Sequence, residues 1–139
     1  MASLNNPNSN KKFEISQNNK FSFKDFLVWQ MSIKFANNII DLTENLNTTK
    51  HHFRLIEQME SAATSIPMNI AAGKGRYSRK EFSHFLMIAR GSLSETLTLL
   101  EIFKFRSWIS IDDYNKLEDQ ANEIAIKLNS LNKSLISKP

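Results

Sequence analysis

The chain has 139 residues, 18 basic against 14 acidic, and only three glycines and three prolines. That length suits one domain with a core of its own, and so few turn-forming residues argue against an all-β fold. The absence of cysteine excludes disulfides, thiolate metal sites and a cysteine nucleophile. No apolar run approaches the length that crosses a bilayer. Met1–Lys20 lacks the apolar core of a secretion signal, so the expected location is the cytoplasm, with no membrane partner.

Residues 1–21 are rich in Asn, Ser and Lys without an apolar period. They read as a disordered tail ahead of a helical domain over 22–136. The first helix is expected to begin near Ser22–Asp25, where a hydroxyl and a carboxylate can serve its N-terminus. Val28, Met31, Phe35, Ile39 and Leu42 then recur at spacings of three and four. Trp29, Ile33, Ala36 and Ile40 widen the stripe to a second face, and Asn45 and Asn47 mark the exit.

The second helix is expected after Thr49 and to run to about Ala72, carried by Phe53, Ile56, Met59, Ala63, Ile66 and Ile70. Pro67 lies inside this pattern, where it removes a donor and crowds a carbonyl, so a kink is expected there. The competing reading starts a new short helix at Ser65. Gly73 suits a residue just past the helix end in the left-handed conformation.

The third helix is expected from Arg79 to about Arg106, with Ser78 and Glu81 forming a capping box. Phe82, Leu86, Ala89, Leu93, Leu100 and Phe103 lie on its main stripe, while Met87, Ile88, Leu99 and Ile102 lie off it. An apolar face that wide belongs to a central helix or to one shared with another subunit. Gly91 interrupts the helix at a cost of roughly 1 kcal/mol, which suggests a close helix contact. Ser110, with Asp112 and Asp113 behind it, opens a fourth helix whose Tyr114, Leu117, Ala121, Ile124, Leu128, Leu131 and Leu135 form a heptad seam. Four long helices with short connections point to an all-α, antiparallel up-and-down four-helix bundle.

Positive charge clusters at the second turn. Lys74, Arg76, Arg79, Lys80 and Arg90 face only Glu81 in that stretch, and over residues 1–24 Lys11, Lys12, Lys20 and Lys24 face only Glu14. Such placement suits a polyanion, the alternative being a solvated face. Lys74, Arg76, Tyr77, Arg79, Lys80 and Arg90 are the candidate nucleic-acid contacts, with Tyr77, Trp29 and Trp108 as possible stacking platforms. Of these, Trp29 fits core packing better. Glu81-Phe82-Ser83-His84 has the Glu-x-x-His spacing of di-iron bundles, but such sites need two motifs and two further carboxylates, and one motif is present. No serine near a histidine has an orienting third residue. Gly73-Lys74-Gly75-Arg76-Tyr77-Ser78 lacks the spacing of a phosphate loop and follows a helix where that loop follows a strand. No cofactor, metal or catalytic residue is therefore expected.

Asp25-Phe26-Leu27-Val28-Trp29-Gln30, Ala62–Gly73, Gly75–Phe82 and Ala89-Arg90-Gly91-Ser92-Leu93, in that order, resemble the bacterial 23S rRNA intervening-sequence proteins. A relative of these is the accessory variability protein of diversity-generating retroelements. The resemblance covers roughly Phe23 to Leu131. It implies a four-helix bundle assembled into a five-subunit ring without catalytic activity, binding RNA or DNA through basic surface or serving a reverse transcriptase as a protein-binding accessory. Asn69, Gly73, Arg76, Ser78, Glu81, Phe82, Arg90 and Gly91 match the family pattern. Pro67, Asn69, Gly73, Ser78, Glu81 and Gly91 are assigned structural roles. Departures occur at Ala72, where the pattern has Glu, at Glu60-Ser61, where it has two basic residues, and near Leu97 and Leu99, where it has Glu and Gln. The leucines make the third helix more apolar, which favours a dry helix or subunit contact.

Overall fold

The computed structural model describes residues 20–137, so the tail expected over 1–21 lies almost wholly outside the described residues. The chain is all-α. Four helices, α1 (Leu27–Thr43), α2 (Phe53–Lys74), α3 (Arg79–Phe105) and α4 (Ile111–Ile136), follow a 3-10 turn at Ser22–Asp25. Each helix packs on the next in sequence, and α1 closes back on α4. Gln58 of α2 meets Glu95 of α3, and Ser65 meets Ser92, so these two helices run antiparallel. Ser83 and Asn132, with Glu101 and Tyr114, set the same sense between α3 and α4. Phe35, Met59, Leu100 and Leu117, one from each helix, are fully buried at the centre. Burying each such side chain is worth about 1.5–3 kcal/mol.

The start of α1 differs from expectation. Ser22–Asp25 forms its own 3-10 turn, and Phe26, with extended backbone (φ −72°, ψ 123°), separates it from α1. No side chain caps α1. Packing decides the break. Phe26 stacks on Phe82 of α3, with ring centroids 6.0 Å apart, while Phe23 meets Trp29 edge-on. The Gln30 amide donates to the Lys24 carbonyl at 2.8 Å and ties the turn to the helix.

α2 runs unbroken through Pro67, which removes the reading that started a helix at Ser65. Pro67 is buried. Beside it the Asn69 amide Nδ2 donates to the Ser65 carbonyl at 2.8 Å and to its hydroxyl at 2.9 Å. That hydroxyl lies 2.8 Å from the Ser92 hydroxyl of α3. The polar groups near the proline thus satisfy one another across the α2–α3 contact.

Two glycines have roles opposite to those expected. Gly73 is not a left-handed residue past the helix end, since α2 continues to Lys74 and no glycine has positive φ among the described residues. Its place is steric. A Cβ built there would lie 2.9 Å from both Phe82 Cδ1 and Phe85 Cβ, so α3 crosses on bare backbone. Gly91, expected at a close helix contact, has nothing within 4 Å of where a Cβ would stand.

Tyr114 locks the far end of the bundle. Its ring is buried, and its hydroxyl serves Glu101 of α3 and, at 2.7 Å, Glu118 of α4. Lys104 Nζ sits 2.8 Å from Glu101 and 4.0 Å from the Tyr114 ring centroid. Hydrogen bonding to Glu101 and then Glu118 favours the neutral phenol and pushes its pKa well above the ordinary value. The Lys104 and Tyr114 hydrogen bonds hold the Glu101 carboxyl below its own.

Substituting the glycines separates the two roles. Gly73→Ala should destabilise the fold by about 1–3 kcal/mol through overpacking, whereas Gly91→Ala should stabilise the isolated chain by up to about 1 kcal/mol; urea denaturation of each measures both. Tyr114→Phe should cost about 1 kcal/mol. Because the folded phenol holds its proton above the range where the unfolded one ionises, this stabilisation is complete below pH 10 and is lost as pH rises further. In an alkaline titration the Tyr114 phenolate absorbance should therefore appear together with loss of helicity.

Candidate nucleic-acid interface

The turn between α2 and α3 is built from short-range chemistry. Gly75 ends α2 with φ −77° and ψ −3°, its N–H donating to the Ala71 carbonyl at 3.2 Å. The Arg76 N–H donates to the Gly73 carbonyl at 3.0 Å. Ser78, in extended backbone, caps α3 by accepting from the Glu81 N–H at 3.1 Å, one half of a capping box.

Aromatic rings position two of the cations. Lys74 Nζ lies 4.8 Å from the Phe26 ring centroid, and Arg76 Cζ lies 4.8 Å from that of Phe85. Contacts to a ring face contribute about 0.5–1 kcal/mol at exposed sites and leave the N–H donors available to a phosphate. Lys80 and Tyr77 project into solvent, Tyr77 being fully exposed. Arg76, Ser78, Lys80, Glu81, His84 and Phe85 border an open groove of about 570 Å³.

Tertiary packing brings further charge here. The 3-10 turn that carries Lys24 packs on α2, and Phe26 behind it stacks on Phe82. Lys133 stands next to Asn132, which accepts a hydrogen bond from Ser83 in the first turns of α3. Lys24, Lys74, Arg76, Arg79, Lys80 and Lys133 therefore gather at one end of the bundle. The sequence reading counted Lys24 with the tail and passed over Lys133. Tracing α4 antiparallel to α3 would have found the latter, because its last turns must lie against the start of α3.

The remaining candidates are scattered. Arg90 is exposed but stands eleven residues along α3 from Arg79, about 16 Å at 1.5 Å per residue, and does not join the basic end. Trp108 is withdrawn from any base-stacking role: it is buried, stacks on His52 with centroids 4.1 Å apart, and packs on Phe103. Its peptide carbonyl accepts from the Asn47 N–H at 2.8 Å, joining the two loops at the opposite end. Trp29 is half-buried against Phe23. Glu81 and His84 border the groove, but among the described residues no three His, Asp or Glu side chains come together as metal ligands. No helix among the described residues is long and apolar enough to cross a membrane.

Comparison with curated proteins gives no match. Among solved structures, the chain is similar to a protein of unknown function from the S23 ribosomal protein family of Bacteroides thetaiotaomicron VPI-5482. The two share 29% identity and superpose with a TM-score of 0.72 over 77% of this chain and 99% of the other. The family model of the 23S rRNA-intervening sequence protein matches residues 24–130, from the 3-10 turn at the basic end to the last turns of α4. By that match over most of its length, the chain belongs to the 23S rRNA-intervening sequence protein family.

Proposed function

We propose that this chain is a non-enzymatic, self-associating helical bundle that binds structured RNA or DNA through its basic end. One observation carries the reading: cations from three segments distant in sequence, represented by Lys24, Arg76 and Lys133, lie at the same end of the bundle. Phosphate contacts need only such a field with accessible donors, and they dominate affinity for nucleic acid. Tyr77 offers a ring on which an unpaired base can stack.

Exposed apolar side chains along α3 support self-association. Met87, Ile88 and Ile102 are each 40–50% exposed and Phe105 is 80% exposed, a face that water alone leaves unsatisfied. A ring of five copies, the assembly that the family resemblance implies, would cover much of it. The same face favours the second reading, in which the bundle is a protein-binding accessory to a reverse transcriptase or another nucleic-acid enzyme in the cytoplasm.

Titration against a structured RNA hairpin at increasing salt tests the first reading. The logarithm of affinity should fall against the logarithm of salt concentration with a slope of about −2 to −4, as a few phosphate contacts predict. Arg76→Ala with Lys80→Ala should flatten that slope by about 1–2, and Arg90→Ala should leave it unchanged. Affinity that does not respond to salt would defeat the proposal.

A further inference from the structure

Besides the groove at Arg76 and Lys80, the basic end of the bundle has a second one. Where the start of α1 meets the last turns of α4, Phe26, Leu27, Val28, Lys127, Ser130 and Leu131 line an open groove of about 390 Å³. Val28 is buried, Phe26 and Leu131 are half-buried, and Leu27 is 57% exposed. A leucine that open in the first turn of a helix adds little to the core. It leaves the groove with an apolar wall facing solvent.

Cations stand at both walls. Lys127 is exposed on the α4 side and is the groove's one ionisable lining residue among those described. On the α1 side, Lys74 Nζ lies 4.8 Å from the centroid of the Phe26 ring. A lipid chain or an apolar helix would fill the floor and leave both ammonium groups without a partner. A nucleotide has the complementary composition, a flat ring face joined to an anionic phosphate. A base inside a duplex shows only its edges, whereas an unpaired base can be splayed out and packed against side chains. The groove is at the small end of the range for ligand sites, about 300–1,000 Å³, which suits one nucleotide and not a helical end.

We infer that this groove receives the base of one unpaired nucleotide of a folded RNA. The base packs against Leu27 and Leu131 beside Phe26, and its flanking phosphates meet Lys127 and Lys74. The inference rests on the nucleic-acid reading above and narrows its substrate class. The basic end takes a strand interrupted by a bulge or loop in preference to a continuous duplex. Ser130 supplies the one side-chain hydroxyl of the lining, so the identity of the base matters little.

Two RNA hairpins, identical except for a single bulged 2-aminopurine, test this with the full-length protein. The bulged hairpin should bind about tenfold more tightly, within what stacking one base contributes. Its 2-aminopurine emission should rise on binding as the base leaves the RNA stack. Leu27→Glu should erase the preference and keep helicity, because an acidic residue in a first turn suits the helix dipole. Lys127→Gln should flatten the salt slope by about 1 for the bulged hairpin and leave the paired one unchanged. Salt-responsive binding with equal affinity for the two hairpins overturns this inference alone. So does a preference that Tyr77→Ala removes and Leu27→Glu spares, since the base then stacks on the exposed turn. Absence of salt-responsive binding to either hairpin overturns the nucleic-acid reading itself.

Discussion

The approach of Phe82 and Phe85 to bare backbone at Gly73 governs the arrangement of the molecule's charged end. Packing density in a protein core leaves no room for even one extra methyl at such a crossing. The short turn 75–78 is held between two helices that meet there, so Lys74 and Arg76 are delivered to fixed places over Phe26 and Phe85. Phe26 in turn stacks on Phe82, which draws the 3-10 turn and its lysine to the same end. One steric allowance therefore organises two separate pieces of basic surface, the turn between α2 and α3 and the 3-10 turn.

The two ends of the bundle are finished by different chemistry. At the basic end, Lys74 and Arg76 lie over the rings of Phe26 and Phe85. At the far end, carboxylates and a phenol are satisfied inward: Tyr114 bridges Glu101 and Glu118, and Lys104 closes the group. The His52–Trp108 stack and the Asn47–Trp108 hydrogen bond join the neighbouring loops. A group whose polar atoms are already partnered has little left to offer a ligand. That contrast is why the functional reading falls on the turn between α2 and α3 and not on the more ionisable far end.

Much of this was legible in the residues themselves. The stripes through Phe35, Met59, Leu100 and Leu117 announced four helices because a period near 3.6 is a local property of the chain. The caps at Ser78 and Ser110 were readable for the same reason, each involving a donor three residues away. Gly91 and Trp108 were misread for the opposite reason. A glycine's meaning depends on what crosses it, and an aromatic side chain's exposure depends on what stacks on it. Neither neighbour is near in sequence.

By itself, then, the sequence determined the number of long helices, the faces they bury and the presence of a charged turn, since propensity, capping and periodicity act over a few residues. Only the tertiary structure decided that Lys24 and Lys133 join that turn while Arg90 does not, that Gly73 rather than Gly91 is the crossing point, and that Leu27 and Leu131 line one groove. Those outcomes depend on which helix faces pack together, and packing partners are chosen by the whole chain at once.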